Sequence, residues 1–446
     1  SVHVWHDKRK SMSILKRLVL ALLVIGVAAV LTFVQAPQTA RIFLPATFAA
    51  LLPPALPEEK PIEAAHWLDQ NWSKDDAQWY HHANQGTDLL PIRWFLAFEQ
   101  PELNLFSAPG LLSDSAYLTR MGFIPGEKVQ TMGTVAMGPS TGLGWQMSEN
   151  DAGLPVGFAR TTSPGNEDRV GLPCSACHTG HIEYKGKSIR FNGGPAMLNI
   201  NLFEQAVSVS ILYTLYVPGR FDRFADRVLG AQSSAEERKA LRNELSKIFS
   251  DLLQSRGVTN AINAAKGLSD TPEGFARLDA LNRIGNRVFY FNLGGGPEIA
   301  DNYHAVDAPV RFPALWTTPW FKFAEYDASI EQPLVRNVGE AMGVGASVTL
   351  EGDKMFKSSV ALDNLIWIED MLRGPNPFAT PAPAFSGLTA PKWPQEYFQG
   401  DAAWAVDPAK VTKGRALYAE LCAGCHLGPT KDPEFDKLYP DKAFWS

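Results

Sequence analysis

The sequence predicts a mainly α-helical chain with long irregular loops and a few short strands. Amphipathic helical spacing recurs in several stretches after residue 200, while strand-like alternation is confined to residues 182–191. Glycine and proline, 36 and 32 in the whole chain, recur every few residues between 110 and 173, which excludes long helices there. With 45% hydrophobic and 20% charged residues, the 446-residue chain is ordinary globular material, not a disordered, collagen-like or polytopic membrane chain. Its 47 acidic and 41 basic residues give a net charge of -6 and no Lys/Arg block, so it has no electrostatic footprint for nucleic acid.

Residues 1–36 read as an N-terminal extension and a signal or anchor segment. An uncharged apolar run at 18–34 follows Lys16-Arg17, with a length between a secretory core and a short membrane span. A cleavage site ending at Ala36 would place Pro37, a poor acceptor for signal peptidase, after the cut. Positive charge before the run keeps the N-terminus inside. The remainder is expected in the bacterial periplasm, anchored to the inner membrane or secreted after cleavage. His3 and His6 lie in the extension and are discounted as ligands. Residues 37–62, rich in Pro and Ala, read as a tether.

A first domain is expected over 63–374. Ser73 and Asp76 form a capping-box-like helix start, with His66, His81 and His82 placed in that opening helix as packing or surface residues. Residues 182–191 predict a hairpin around Lys185-Gly186. Helices are predicted over 201–217, 221–229 and 233–256. The last has Ser234 and Glu237 as a capping box, an apolar face from Leu241 to Leu253, and Gly257 as its stop. Thr271-Pro272 predicts another helix, running to about residue 291. The glycine-rich stretch 292–297 lacks the Lys-Ser/Thr of a phosphate loop. Residues 308–320, APVRFPALWTTPW, suit a loop lining a flat hydrophobic ligand. A helix over 360–373, stopped by Gly374-Pro375, closes the domain, and 375–404 reads as a linker. Residues 405–446 begin a second small domain, in which Asp407-Pro408 caps a helix that runs directly into a cysteine motif.

The four cysteines decide the chemistry, because all of them sit in Cys174-Ser-Ala-Cys177-His178 and Cys422-Ala-Gly-Cys425-His426. C-x-x-C followed at once by His is the attachment signature of c-type haem. Two thiols add to the vinyl groups of one porphyrin, and the adjacent histidine is delivered to the iron as proximal ligand. A zinc site of four thiolates would leave both histidines unexplained. A thioredoxin-like dithiol would follow a strand rather than Gly171-Leu-Pro. The sequence therefore predicts two covalently bound c-type haems in cytochrome c-like domains, with His178 and His426 as proximal ligands. Only 20 residues follow His426, without Met or His among them, so the second domain is expected to be truncated.

Several strings resemble the di-haem cytochrome c peroxidase superfamily, in its branch related to bacterial rubber oxygenases. They are HWLDQNW and HHANQGT within 66–87, WFLAFEQPE at 94–102, GLPVGFAR at 153–160, GLPCSACHTGHIEYKGKSIRFNGGPA at 171–196, APVRFPALWTTP at 308–319 and RNVGEAMGV at 336–344. The resemblance spans most of 63–446. It implies a reactive N-terminal haem that reduces peroxide or activates dioxygen. It also implies a six-coordinate C-terminal haem that passes electrons from a small redox protein or other donor. The second distal ligand would come from far downstream, where this sequence departs from the family. The substrate would be peroxide, dioxygen or an apolar organic molecule. A calcium ion near the haems is allowed by the family, but no acidic cluster specifies it.

Among side chains, Glu340 is the candidate acid/base for moving a proton during O–O cleavage. Phe312 and Trp316 are candidates for the distal wall, and His304 for a haem-facing imidazole. His181, three residues after His178, suits a propionate contact or a surface role. Trp393 and Trp404 read as core aromatics or aids to electron hopping. The rival class is a non-catalytic electron carrier with both haems six-coordinate.

Overall fold

The computed structural model describes residues 51–102, 107–128, 150–161, 167–316, 318–323, 328–350, 352–376, 381, 384–426, 428 and 435–438. The expected anchor at 18–34 and the tether up to residue 50 lie outside the described residues. Among the described residues no single helix is long and apolar enough to cross a membrane.

The chain enters through β1 (Ala64–Trp67) and α1 (Lys74–His82), whose capping box joins Ser73 and Asp76. His81 and His82 lie on α1, as expected, but His66 belongs to β1, because the helix begins only at the Ser73 cap. Then come β2 (Leu90–Pro91), α2 (Ile92–Ala97), α3 (Ser115–Thr119), β3 (Ala159–Thr161) and β4 (Arg169–Gly171). The first cysteine motif follows as a single 3-10 turn, Cys174–Ala176. Its exit is the hairpin of β5 (Thr179–Tyr184) and β6 (Lys187–Asn192). Lys185 and Gly186, with φ of 46° and 76°, supply the two left-handed residues that such a tight turn requires. β6 also pairs in parallel with β1, giving a sheet ordered β1-β6-β5, while β2-β4-β3 form a separate antiparallel sheet.

Helices α4 (Ile200–Tyr216), α5 (Arg220–Leu229) and α6 (Ala235–Ala265) pack on one another. α6 has the expected Ser234–Glu237 capping box but passes through Gly257 and ends near Lys266. Gly257 meets nothing within 4 Å, so this exposed glycine costs about 1 kcal/mol in propensity without breaking the helix. The helix predicted from Thr271-Pro272 starts later. Asp279, whose side chain accepts from Asn282 N–H, caps α7 (Ala280–Phe289), and residues 277–278 form β7, paired with β8 (Val310–Arg311). α8 (Pro333–Gly343) and α9 (Leu362–Arg373) follow. A Cβ at Gly343 would lie 2.8 Å from Ile284 Cγ1, so that glycine permits the close approach of α8 to α7. Part of the expected linker is packed instead of free: Leu388 and Phe398 are buried, and Tyr184 O–H donates to Asp401 at 2.6 Å. α10 (Pro408–Leu421), capped by Asp407, leads into the second motif, and α11 (Phe435–Leu438) is a single turn.

The larger core is aromatic. Phe98 stacks on Phe224 at 4.7 Å, and Phe95, Phe123, Phe158 and Phe203 interlock beside them. Beneath this core Glu99 is almost fully buried and joins α2 to α5. It accepts from Arg223 Nε at 2.6 Å, from a second Arg223 nitrogen at 2.7 Å and from Arg227 at 3.1 Å. Burial alone would raise its pKa, but the hydrogen bonds from Arg223 and Arg227 prevail and hold the carboxyl below its usual range. Glu99→Ala is expected to leave the buried Arg220 without its counter-charge and to cost about 3–5 kcal/mol, read from the denaturant midpoint. Because the folded-state pKa is depressed, this stabilisation is present at neutral pH and fades as pH falls through the acid range below about 4. The gap between variant and parent should therefore narrow in acid.

Candidate haem-attachment site

The first motif is shaped by backbone hydrogen bonds before any ligand is considered. Cys177 N–H and His178 N–H both donate to Cys174 C=O, at 3.2 and 2.9 Å, so the two thiols and the imidazole leave one tight turn. The intervening Ser175 and Ala176 are buried. Ser175 Oγ donates to His81 C=O at 2.7 Å, fixing the turn to the end of α1. Gly157, at φ 97°, lies against Ala176, and a Cβ there would come within 2.7 Å of Ala176 Cα.

His178 is held at three points. Tyr80 O–H donates to its carbonyl at 3.0 Å, Gly193 N–H donates to the same oxygen at 2.8 Å, and the ring Nδ1 lies 2.9 Å from Pro313 C=O. A carbonyl only accepts, so Nδ1 carries the proton and Nε2 keeps its lone pair. Burial pulls the imidazole pKa down to about 4, so the ring is neutral at physiological pH. These are the requirements for a proximal iron ligand: fixed tautomer, fixed ring plane and an unprotonated nitrogen.

Both thiols are half-buried and free of disulfide bonding. Cys174 Sγ donates to Gln85 Oε1 at 3.2 Å. Burial pushes the Cys174 pKa up to about 12 and Cys177 higher still, and at both sulfurs the carboxylate of Glu340 adds to the rise. Glu340 is thus brought to the motif. One helical turn earlier on α8, Arg336 is buried, and its positive charge acts to lower the pKa of both Cys174 and His178. Arg336 donates to Asn337 Oδ1, and Asn337 donates to Glu369 Oε1 at 2.8 Å. Burial raises the Glu369 pKa. Around the motif stands a second hydrophobic cluster containing Trp79, Tyr80, Leu315, Trp367 and Ile368, with Cys174 and Trp316 packed against it.

The other expected residues fall in different places. Phe312 is buried, with its ring centre 6.3 Å from that of His178. Trp316 donates from Nε1 to Asn192 C=O at 2.9 Å. His304 is an exposed loop residue whose backbone is bracketed by Asn286, and it makes no hydrogen bond or ring contact with the motif. His181 Nε2 lies 3.4 Å from Glu183. Trp393 and Trp404 are partly exposed and stack with 6.3 Å between ring centres. Sequence reasoning missed Gln85, Tyr80, Arg336 and Pro313. Only Arg336 left a signal, its four-residue spacing from Glu340.

The second motif repeats the first turn. Cys425 N–H and His426 N–H donate to Cys422 C=O at 3.1 and 2.8 Å, and again a tyrosine hydroxyl, Tyr418, donates to the histidine carbonyl, here at 3.2 Å. Its surroundings differ, since Cys425 and His426 are exposed. Among the described residues no three His, Cys, Asp or Glu side chains converge as a metal-binding group, so the four cysteines are not gathered into a tetrahedral zinc set.

The residues of the first motif fit a covalently held haem, with free thiols three apart, a neutral anchored imidazole and aromatic walls. Tyr80→Phe is expected to leave the His178 carbonyl with one donor fewer in a buried setting and to lower stability by about 1–3 kcal/mol in thermal unfolding. A protein of Sinorhizobium fredii (strain NBRC 101917 / NGR234), described as uncharacterized protein y4iJ, is 38% identical over 401 residues, covering 85% of this chain. The chain spans 60% of that relative's length. No family model and no solved structure matches the chain.

Proposed function

We propose that this chain is a periplasmic di-haem c-type oxidoreductase. The N-terminal haem, on Cys174, Cys177 and His178, would be the reactive centre, and the C-terminal haem, on Cys422, Cys425 and His426, would pass electrons. The observation that carries this reading is the arrangement of His178. Its Nδ1–H is committed to Pro313, its Nε2 is free and neutral, and two unbonded thiols leave the same turn. When bound, the haem supplies an iron centre able to cleave an O–O bond or to activate dioxygen.

The protein's own contribution is positional and electrostatic. Pro313 fixes the imidazole plane, and the aromatic cluster excludes water from the motif. Glu340 supplies a carboxyl to move a proton, and Arg336 stands one helical turn before it on α8. Reduction of one peroxide to two waters takes two electrons and two protons. The electrons would come from a small redox protein through the second haem, and the protons by way of Glu340. For the oxygenase form of the reaction, the same site would take dioxygen and an apolar organic substrate.

The purified, matured chain is expected to give two haems per polypeptide in an alkaline pyridine spectrum, and the Cys174→Ser, Cys177→Ser double variant one. Spin-resonance spectra should contain a high-spin or ligand-exchangeable haem that is lost in that double variant. Two low-spin haems inert to peroxide, oxygen and cyanide would instead make the protein an electron carrier. Glu340→Gln is expected to lower turnover by about 10²–10⁴-fold while leaving the haem count unchanged.

A further inference from the structure

Arg190, in β6, is nine-tenths buried. Its Nε donates to Ser188 Oγ at 3.1 Å, and its guanidinium carbon lies 5.7 Å from the centre of the Trp67 ring. Among the described residues it makes no ion pair and no hydrogen bond from its terminal nitrogens, and the opposite charge that acts on it through space is the exposed Glu127. Other buried arginines are provided for. Arg220 lies beside Glu99 and donates to the carbonyls of Gln100 and Glu102. Arg283 is held between Glu204 and Glu273, and Arg336 donates twice to Asn337. A guanidinium stays charged in a protein, and burying it without a directly paired counter-charge is unfavourable.

The group borders two cavities, of about 590 and 440 Å³. The smaller one has an aromatic wall. Trp67 stacks on the ring of His81 at 4.8 Å, and Trp72, Asn192 and Arg190 also line it. Burial lowers the His81 pKa to about 3, so that ring is neutral. Lys74, also on the lining, is already paired with Glu127 at 2.9 Å, and both are exposed. Asp69, Lys74 and Glu127 on the lining are exposed, so Arg190 is the buried charged group of this lining, set against flat apolar walls. The cavity is separate from the haem motif: the carbonyl of His81 receives Ser175 while its ring faces the cavity.

We propose that this cavity binds a small organic monocarboxylate with a flat apolar body, its head paired with the two terminal nitrogens of Arg190 and its body against Trp67 and Trp72. The planar fork of a guanidinium matches a carboxylate. A single interior cation suits a monoanion better than a phosphate dianion. The volume lies within the range of ordinary small-molecule sites.

Benzoate serves as the probe, titrated calorimetrically into the haem-loaded full chain, with inorganic phosphate as the second probe. Saturable one-to-one benzoate binding is expected, weakened by about tenfold or more in Arg190→Gln and by less in Arg190→Lys. Trp67→Leu, at a position 39% exposed and so tolerant of change, should weaken benzoate by a smaller factor. It decides the matter if Arg190→Gln does not fold, as judged by circular dichroism. The proposal is overturned if the parent chain binds no benzoate, if phosphate binds as tightly as benzoate, or if benzoate affinity is unchanged in folded Arg190→Gln. With no folded Arg190→Gln, unchanged affinity in Trp67→Leu overturns it.

Discussion

His178 is fixed from both its backbone and its ring, and the surrounding architecture is arranged to make that possible. Its carbonyl accepts from Tyr80 on α1 and from Gly193 after β6, while its ring donates to Pro313 in the loop after β8. Each buried hydrogen bond contributes only about 1 kcal/mol net, but leaving any of these groups unpaired would cost more. The three bonds thus act less as a source of stability than as a requirement that α1, the β5–β6 hairpin and the 308–316 loop meet at one place. The parallel pairing of β1 with β6, the burial of Leu315 and the packing of Trp79 against Trp367 at 5.9 Å follow from that meeting.

The two cysteine motifs share one backbone turn and differ in what encloses it. Both use the carbonyl of the first cysteine to receive two amides, and both place a tyrosine hydroxyl on the histidine carbonyl. The first turn is wedged between α1 and the aromatic cluster, where a low dielectric keeps its imidazole neutral and its thiols protonated. The second ends an exposed helix, with Leu417 and Leu421 open among the described residues. Local chemistry is therefore set by the five-residue pattern, and the electrostatic character of each site by distant segments.

That division explains what could be read from the sequence. Caps, turns and attachment motifs depend on neighbours a few residues apart, and so Ser73–Asp76, Ser234–Glu237, Lys185-Gly186 and the Asp407 cap were legible. The end of α6 was not, because an exposed glycine weakens a helix without obliging it to stop. The start of α7 was misplaced because Asp279 is a stronger cap than Thr271-Pro272 is a start. In the site, the ring contact between His178 and Phe312 and the hydrogen bond of His178 to Pro313 join residues 134 and 135 positions apart, which no local pattern encodes.

Those long separations have a consequence for how the chain acquires its shape. Gln70 bonds to Thr389 across 319 positions, Asn364 to Asn84 across 280, and Ser359 to Gly86 across 273. The entropy of closing such loops must be met before the contacts return anything, so folding of high contact order is slow. During synthesis α1 and the first motif emerge long before the segments that enclose them. A nascent chain halted short of residue 313 holds the whole first cysteine motif but neither the carbonyl that receives the His178 ring nor the Leu315 and Trp367 side chains that cover the turn, so both thiols stay open to solvent until those later segments arrive.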